Sequence, residues 1–248
     1  MEMEALHKEL RRIVLGGFQR INRTRRVEHK KWELPVGRWD VHVVRGRILE
    51  KATTTHLILN TKNPVTGEDT RFNVFQVMVY PANPKIPILL INMENRVARK
   101  DVFAGFLDVA PVAARKEDLK ALQSRMRKIT EHHGQSYEEL RCKINNLYYM
   151  EARDKPLNAA IGIRLELAPQ QYTLLREAAL SWIESYFEIV EKRKKERFTT
   201  REESLMYAVR ARIMEFYLLK DLSVKVAQKL GVPLEALSLG NFAPVIRY

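Results

Sequence analysis

The middle of the chain, from Trp39 to Val112, is a succession of strand-type segments joined by short connections. These segments are rich in β-branched and aromatic residues, and some alternate apolar with polar side chains, which is typical of strands. Short connections, such as the turn-forming residues 63–67, favour antiparallel pairing of successive strands. The sequence therefore predicts an antiparallel meander, with strands at residues 41–50, 53–59, 72–80, 86–91 and 102–112.

Helical patterning on both sides of this block completes the predicted fold. Apolar residues recur at helical spacing near the N-terminus and through most of the chain after Pro111. The predicted helices are residues 3–25, 115–131, 136–151, 169–197 and 200–230, with one more strand at 158–167. Strands gathered between helices indicate an α+β fold, with a central antiparallel β-sheet flanked by α-helices on both faces, an α/β/α sandwich. Since we find no internal repeat or linker, we expect one domain over residues 1–248.

The charge balance of the chain is strongly basic. It carries 43 Lys and Arg against 30 Asp and Glu, a formal net charge of +13. Nucleic acid, anionic lipid and a polycarboxylate ligand are candidate partners for such a chain. The basic residues concentrate at 20–31 and 192–201, where solvated helix ends are the alternative explanation. Only Trp32 and Phe198 border these clusters, so nucleic acid is not an expected partner.

Other features bear on location and on metal binding. No apolar run approaches the ~20 residues of a membrane helix, and the charged N-terminus does not resemble a signal peptide. Cys142 is the single cysteine, which excludes an intramolecular disulfide. These features predict a cytoplasmic protein. Only His132 and His133 are adjacent histidines, and dinucleotide, P-loop, CxxC and HExxH motifs are lacking, so we expect no metal site.

Asp108 is the only polar side chain in the apolar run 102–112. An ionised carboxylate in apolar surroundings is costly unless it is paired, protonated or in contact with a ligand. The preceding predicted strand is followed by Asn92, Glu94 and Arg96, and antiparallel pairing would bring one of them near Asp108. A structural Arg96–Asp108 pair and an Arg96 that holds a substrate carboxylate both fit this pattern.

Arg212 is a second candidate for a charged group that faces the interior. Leu205, Val209, Arg212, Phe216 and Leu219 share roughly one face of a predicted helix, which turns Arg212 toward the core or a pocket. The carboxylate three residues further on, at position 215, is a natural partner for it. A buried ion pair and an anion-binding arginine are the two alternatives.

Four stretches, at residues 49–52, 79–84, 105–111 and 210–221, carry a family resemblance. They read Leu-Glu-Lys-Ala, Val-Tyr-Pro-Ala-Asn-Pro, Gly-Phe-Leu-Asp-Val-Ala-Pro and Arg-Ala-Arg-Ile-Met-Glu-Phe-Tyr-Leu-Leu-Lys-Asp. In this order they resemble motifs of oxygen-dependent coproporphyrinogen III oxidase and, more distantly, of the ferredoxin-dependent bilin reductases that share its fold. The last stretch resembles its oxidase counterpart most closely. The resemblance implies the same sheet-and-helix fold and a tetrapyrrole substrate.

The resemblance also implies roles for individual residues. Asp108 falls on the aspartate that binds the pyrrole nitrogens in the oxidases, and Arg96 falls on an arginine of their substrate pocket. Arg153 and Arg164 are further candidates for holding a propionate, and Arg212 stays a substrate-binding candidate. The oxidases use molecular oxygen without a metal or organic cofactor, whereas the bilin reductases take electrons from reduced ferredoxin.

Two amides stand where the relatives carry histidines. Asn92 stands at a histidine position of the oxidases, and Gln76 stands at the catalytic histidine position of the bilin reductases, so both are candidate substrate-binding residues. The leading hypothesis is an oxidase-like enzyme that oxidatively decarboxylates propionates. A bilin reductase-like enzyme acting on biliverdin and a non-catalytic tetrapyrrole carrier are the alternatives. The expected partners are the tetrapyrrole and, for a reductase, ferredoxin; a homodimer is an open alternative for the oligomeric state.

Overall fold

The computed structural model describes residues 2–63, 65–157 and 160–247, and its centre is a seven-stranded antiparallel sheet. The strand order is β1-β2-β3-β4-β5-β6-β9, so six consecutive strands form a meander and the last one is added at its edge. The strands are β1 (Glu28–Leu34), β2 (Gly37–Val44), β3 (Leu49–Lys62), β4 (Asp69–Pro81), β5 (Ile88–Val97), β6 (Val102–Ala110) and β9 (Ile163–Leu167). Two short strands, β7 (Tyr149–Met150) and β8 (Lys155–Pro156), form a separate ribbon. The predicted antiparallel meander is confirmed.

Helices cover both faces of this sheet, which confirms the predicted α+β architecture. The helices are α1 (Glu2–Asn22), α2 (Lys116–His132), α3 (Tyr137–Tyr148), α4 (Tyr172–Arg193), α5 (Thr200–Leu219), α6 (Leu222–Lys229) and α7 (Leu234–Asn241). No helix within the described ranges combines the length and the apolar character that a bilayer-spanning helix needs.

Alternation of side chains along the strands gives the sheet two different faces. One of them, here called the Asp108 face, packs against α5, α6 and α7. The Asp108 face carries the side chains of Gln76, Asn92, Phe106, Asp108 and Arg164. The opposite face packs its apolar side chains against α1, α2 and α4. Most of the predicted site residues therefore share one face of the sheet.

Helix α3 joins the two layers at the β9 edge of the sheet. Its first half places Tyr137 and Leu140 in the core of the opposite face. Its last turns place Ile144 and Tyr148 in the core of the Asp108 face. The Tyr137 hydroxyl donates to the Ile161 carbonyl oxygen (2.6 Å), which holds α3 against the segment that leads into β9. The helix thereby brings Tyr148 to the neighbourhood of Asp108.

Local signals in the sequence have clear structural counterparts. The predicted helix start at Thr199 is a capping box, in which the Thr199 hydroxyl accepts from the Glu202 backbone N–H (3.2 Å) and the Glu202 carboxylate accepts from the Thr199 backbone N–H (2.9 Å). The predicted turn closes with a bond from the Gly67 N–H to the Asn63 carbonyl oxygen (2.8 Å). Gly67 has a φ of +75°, a conformation that glycine adopts without strain.

Two predicted elements need correction, and two further elements, β1 and α7, were not predicted. Strand β1 was not predicted, because Lys30 and Lys31 belong to a run of charged residues without an apolar pattern. In the structure β1 lies at the edge of the sheet, where charged side chains are common. The helix predicted at 200–230 is two helices, interrupted at Lys220 and Asp221, and α7 was not predicted. The strand predicted at 158–167 begins only at Ile163; residues 158 and 159 lie outside the described part of the chain.

Candidate active site on the Asp108 face

Asp108 lies on β6 with its side chain closed off from solvent, at an exposed fraction of 0%. Its Oδ1 accepts hydrogen bonds from the backbone N–H groups of Ile161 (3.0 Å) and Gly162 (2.7 Å). Its Oδ2 has no hydrogen-bond partner among the described residues. The backbone thus fixes one carboxylate oxygen, and the other is left to accept from a further donor.

Gly162 allows the backbone to approach Asp108 this closely, and Gly105 allows β5 to lie close to β6. A Cβ atom on Gly162 would lie 1.7 Å from the Leu107 carbonyl oxygen, so a side chain there would push the start of β9 away from β6. Gly105 on β6 has a φ of +145°, and a Cβ atom there would lie 2.0 Å from the Asn92 carbonyl oxygen. The N–H groups that hold Asp108 therefore depend on glycine at position 162.

Aromatic rings enclose the carboxyl group on the helical side. The Tyr148 ring makes edge contacts with Phe106 and Phe216, at centroid distances of 6.2 Å and 5.7 Å. The Tyr148 hydroxyl is buried and, within the described ranges, has no partner in hydrogen-bond geometry. It still lies close enough to Asp108 for the two groups to interact, since burial and then the Asp108 charge raise the pKa of Tyr148. Asp108 and Tyr148 are thus two neighbouring proton-carrying groups.

Burial also determines the proton affinity of Asp108. It raises the pKa of this carboxyl from 3.8 to about 6, although the backbone N–H groups of Gly162, Val109 and Ile161 and then the Tyr148 hydroxyl act in the opposite direction by stabilising the charged form. A carboxyl with a pKa near 6 can both give up and take up a proton close to neutral pH. Asp108 is therefore suited to exchange protons with a bound molecule.

The polar residues nearest to Asp108 across the sheet are Asn92 on β5 and Arg164 on β9, the two cross-strand partners of Phe106, and Gln76 lies one strand further away. Gln76 and Asn92 are paired directly across β4 and β5, and Asn92 is two residues along β5 from the partner of Asp108. The Gln76 Oε1 accepts from the Asn241 Nδ2 (3.1 Å), whereas the buried Asn92 Oδ1 has no partner in the described part of the chain. Amides do not titrate, so these two side chains can orient a ligand by hydrogen bonds but cannot supply protons.

Side chains of β3 and β4 hold helix α7 against the Asp108 face. They donate hydrogen bonds to backbone carbonyl oxygens at the C-terminal end of α7. The bonds run from Lys51 Nζ to Ser238 (2.6 Å) and Phe242 (2.5 Å), from Thr53 Oγ1 to Gly240 (2.7 Å) and from the Tyr80 hydroxyl to Asn241 (2.6 Å). Burial lowers the pKa of Lys51 to about 7. These contacts could not be predicted from the sequence, because helix α7 was not predicted. The family resemblance at residues 49–52 was the one sign that Lys51 has a structural or functional role.

Arg96 does not lie beside Asp108, so the predicted Arg96–Asp108 neighbourhood is wrong. The register sets Asp108 opposite Leu90, and six residues of extended β5, roughly 20 Å, separate Leu90 from Arg96. Arg96 is paired with Glu94 (Nε to Oε1, 3.1 Å) and with Glu166 on β9 (Nη2 to Oε1, 3.1 Å). The error arose because the strand that was expected to stop at residue 91 continues to residue 97.

Helix α5 buries Arg210 and leaves Arg212 half-buried, which corrects the predicted orientation. Arg210 has an exposed fraction of 0%, and its Nη2 donates to the Glu50 carboxylate (2.8 Å) and to the Pro81 carbonyl oxygen (3.0 Å). The Arg212 Nε donates within its own helix, to the Ala208 carbonyl oxygen (3.4 Å). Arg210 therefore joins three of the stretches that carry the family resemblance, 49–52, 79–84 and 210–221.

The buried stripe of α5 is rotated relative to the predicted one. Leu205 and Leu219, which were expected to face the core, are 41% and 62% exposed. The predicted Arg212–Glu215 pair is also wrong, because Glu215 binds Arg153 through two bonds (2.8 and 2.6 Å). The buried residues of α5 are Met206, Val209, Arg210, Ala211, Ile213, Met214, Phe216 and Tyr217.

Arg164 lies on the Asp108 face, directly across β9 and β6 from Phe106. Its charge and that of Arg96 act on Glu94, whose pKa is raised by burial and lowered by the two arginines. Arg96, Arg164 and two glutamates thus form a charged group toward the far end of β5. Of the predicted site residues, Gln76, Asn92 and Arg164 lie in one row across the Asp108 face, next to the row of Asp108, whereas Arg96, Arg153 and Arg212 lie apart from them.

Metal-compatible donors occur elsewhere, in the β1–β2 hairpin. One donor atom each of His29, Asp40 and His42 lies within 4.8 Å of the others. His29 and His42 are cross-strand partners, which the sequence could not suggest while β1 was unrecognised. Arg11 lies 3.7 Å from Asp40 and counters the attraction of the carboxylate for a cation. The absence of a resident metal stays a prediction.

Comparison with known proteins identifies the family of the chain. The family model described as coproporphyrinogen III oxidase matches residues 2–237. The chain belongs to the coproporphyrinogen III oxidase family. The oxygen-dependent coproporphyrinogen-III oxidase of Coxiella burnetii strain Dugway 5J108-111 is 20% identical over 247 residues, which cover 90% of this chain and 80% of the relative. The same enzyme of strain RSA 493 is likewise 20% identical with the same coverage.

A solved structure outside these oxidases shares the fold. It is phytochromobilin synthase from tomato in complex with biliverdin, with a TM-score of 0.60 and 12% sequence identity, covering 93% of this chain and 79% of that chain. At this identity the likeness concerns the fold. The resemblance seen in the sequence, to the oxidases first and to the bilin reductases more distantly, is confirmed, and the chain is a divergent member of a family of tetrapyrrole oxidoreductases.

Proposed function

We propose that the chain binds a tetrapyrrole on the Asp108 face and oxidises it in the manner of a coproporphyrinogen III oxidase. The observation that carries the proposal is the state of Asp108. One carboxylate oxygen is fixed by two backbone N–H groups, the other has no partner in the described residues, and the pKa is about 6. A pyrrole N–H is a donor that such an oxygen can accept, and the same carboxyl can exchange a proton with the ring system.

The other residues of the Asp108 face have binding roles in this proposal. Gln76 and Asn92 orient the macrocycle through hydrogen bonds. Arg96 and Arg164 hold propionate groups toward the far end of β5, where they now pair with Glu94 and a second glutamate. Arg153 and Arg212 are weaker candidates for binding a propionate. Arg153 is ion-paired with Glu215, and Arg212 donates a hydrogen bond within its own helix.

The proposed reaction needs few catalytic groups from the protein. A propionate that loses carbon dioxide, a proton and two electrons becomes a vinyl group, and molecular oxygen takes up the two electrons and two protons to give hydrogen peroxide. The resemblance to the oxidases implies that no resident metal or organic cofactor takes part. The protein positions the macrocycle and controls protons. The strongly basic chain suits a substrate that carries several carboxylates.

Access to the enclosed Asp108 requires movement of the covering helices. Helix α7 is held by a small set of hydrogen bonds from Lys51, Thr53 and Tyr80, and each typical hydrogen bond contributes only about 1 kcal/mol net. We propose that α7 moves away from β3 and β4 when the tetrapyrrole enters.

Two alternatives remain within the tetrapyrrole class. A bilin reductase would use Asp108 as the proton donor to a linear tetrapyrrole while ferredoxin supplies electrons, and the shared fold with the tomato protein favours it. A non-catalytic carrier is favoured by the amides at positions 76 and 92, which cannot replace histidines as proton donors.

One domain over residues 1–248, a homodimer and a cytoplasmic location stay predictions.

Absorbance spectroscopy distinguishes these functions. The protein is mixed with coproporphyrinogen III in air and, separately, with biliverdin plus reduced ferredoxin. We expect conversion of coproporphyrinogen III. Conversion of biliverdin alone would replace the oxidase by a reductase, and a spectral shift without turnover would indicate the carrier. Absence of any binding to both pigments would contradict the proposal as a whole.

A further inference from the structure

A polar cavity lies on the sheet face opposite Asp108, between α1 and the strands β1, β2 and β3. Its volume is about 270 Å³. Asp40 and His56 are cross-strand partners at its floor, and the Lys31 position is paired with Asp40 from the other side. The cavity is lined by Glu4, His7, Lys8, Arg11, Lys31, Arg38, Asp40 and His56. The tetrapyrrole proposal uses none of these residues.

His7 is the unusual group in this cavity. It is 1% exposed, lies on the buried side of α1 and stacks on Phe75 at a centroid distance of 5.4 Å. Neither of its ring nitrogens has a hydrogen-bond partner in the described ranges. The Asn73 side chain is close enough to act against the lowered pKa of His7, but its Oδ1 is engaged by the His56 Nε2 at 2.7 Å. Buried polar groups are hydrogen bonded in the great majority of proteins, so an unpartnered buried imidazole indicates a missing partner.

The cations of the cavity are also incompletely partnered. The Arg11 Nε is buried without a hydrogen bond to any described residue, and the Arg11 Nη1 lies 3.7 Å from Asp40, beyond hydrogen-bond distance. Arg38 forms no hydrogen bond or ion pair with the described residues. Lys8 is paired with Glu4 along the helix at 3.2 Å. Donors therefore exceed acceptors in this cavity.

The balance of charge decides which kind of ligand the cavity suits. Four cations line it, against two carboxylates. A metal ion needs neutral or anionic ligands and would be repelled by the arginines and lysines. An oxyanion offers several acceptor lone pairs to Arg11, Arg38 and one nitrogen of His7, and guanidinium groups match the geometry of phosphate oxygens. Lys8 and Lys31 are paired with Glu4 and Glu33, so Arg11 and Arg38 are the two cations that a doubly negative ligand would neutralise.

We propose that this cavity binds a doubly charged oxyanion of the phosphate class, either free phosphate or the phosphate group of a small phosphomonoester. Arg11 and Arg38 provide charge-assisted hydrogen bonds, and His7 donates one N–H from the buried wall. The cavity lies on the face of the sheet that the tetrapyrrole does not use, so the two ligands can bind independently.

Isothermal titration calorimetry with inorganic phosphate and with glycerol 3-phosphate, at constant ionic strength set by chloride, tests the proposal. We expect saturable binding of at least one compound. Tighter binding of the ester assigns a phosphomonoester as the ligand, and tighter binding of inorganic phosphate assigns the free ion. If neither compound binds saturably, the proposal is overturned.

Two variants and a charge-matched control locate the binding. Arg38→Gln should weaken affinity roughly tenfold or more, because a charge-assisted bond is lost, while the fold keeps its other contacts. Arg99→Gln removes the same charge from a side chain that is 90% exposed outside the cavity, and it should leave affinity unchanged. His7→Phe should weaken binding and, without phosphate, raise the melting temperature, because an unpartnered polar ring is replaced by an apolar one. Equal affinities in the wild type, Arg38→Gln and His7→Phe would place any binding elsewhere.

Discussion

Asp108 and His7 are enclosed on opposite faces of the same sheet, but the charges around them differ. Asp108 is surrounded by backbone N–H groups, amides and aromatic rings, whereas His7 faces a cavity lined by four cations. Burial raises the pKa of Asp108 to about 6 and lowers the pKa of His7 to about 3, so in each case it favours the neutral form. Burial thus determines protonation in the same sense at both sites, while the neighbouring charges determine which ligand each site can accept.

The helices also cover the two faces differently. On the opposite face, α1, α2 and α4 pack through a continuous apolar core. On the Asp108 face, the cover depends on polar anchors as well, namely Arg210 on α5 and the side chains that hold α7. The Asp108 face also has an apolar core, to which α5 contributes five buried hydrophobic side chains and α7 only Ala236 and Leu237. Among the covering helices, α7 therefore depends most on its polar contacts.

The largest predicted effect concerns Arg210, the charged anchor of α5. Arg210→Ala removes the bonds to Glu50 and Pro81 and leaves both acceptors without their partner. We expect a loss of about 3–5 kcal/mol in the free energy of unfolding, measured by urea denaturation. Arg212→Ala, two residues further along the helix and half-buried, should cost less than about 1 kcal/mol. Equal losses in the two variants would contradict the assignment of Arg210 as the anchor.

The pH dependence of stability tests the burial of Asp108. Its folded-state pKa, about 6, lies above its ordinary value of 3.8, so the folded state holds the proton more tightly than the unfolded state. The stabilisation is fully present below pH 3.8 and is lost as the pH rises through 6. Relative to Asp108→Asn, the wild type should therefore lose about 3 kcal/mol between pH 3 and pH 7. A difference between the two proteins that does not change with pH would show that Asp108 is not buried in this way.

A somewhat smaller effect is expected at the glycine that brings donors to Asp108. Gly162→Ala places a Cβ atom against the Leu107 carbonyl oxygen, so β9 must shift, and we expect a loss of about 2–3 kcal/mol together with loss of the Asp108 hydrogen bonds. Gly16→Ala is the control, because it lies in α1 with nothing within 4 Å of the added methyl group. It should gain about 0.5–1 kcal/mol from helix propensity. Urea denaturation of both variants measures the contrast, and a stable Gly162→Ala protein would contradict the close approach of β9.

The smallest predicted effect is the change with pH in the stability contributed by His7. Its sign is opposite to that predicted for Asp108. The folded-state pKa of His7, about 3, lies below its ordinary value of 6.5, so the unfolded state binds the proton more tightly. The wild type should lose stability as the pH falls below 6.5, and His7→Phe should not. Between pH 6 and pH 5, the difference in the free energy of unfolding should move by about 1.4 kcal/mol in favour of the variant. Denaturation in phosphate-free buffer checks this, and a shift in the other direction would mean that His7 is protonated in the fold.

Much of the fold could be predicted from local patterns in the sequence. Strands β4 and β6 follow a period-2 or apolar pattern, and α5 begins at a capping residue, Thr199. Strand β1 was missed because an edge strand with charged side chains has no apolar pattern. Helix α7 was missed because it is short and its attachment to the sheet comes from residues more than 150 positions away, such as Lys51.

The candidate site was predictable only in part, for reasons of register and helix rotation. Asp108 stands out because a lone acid in an apolar strand is costly, and its neighbours Gln76 and Asn92 were found through the family resemblance. Arg96 was misplaced because side-chain neighbours across strands depend on register, which the end of β5 fixes. Arg212 was chosen over Arg210 because a shift of two residues on a helix rotates a side chain by roughly half a turn.

The most direct test of the central claim, that Asp108 handles protons for a bound tetrapyrrole, is the turnover of Asp108→Asn with coproporphyrinogen III in air. The asparagine keeps an oxygen for the N–H groups of Ile161 and Gly162 but cannot exchange a proton. We predict a fall in kcat of at least about 100-fold with pigment affinity largely kept, while Asp101→Asn, an exposed acid just before β6, behaves as wild type. A rate for Asp108→Asn within about twofold of the wild type would remove Asp108 from the mechanism and contradict the account.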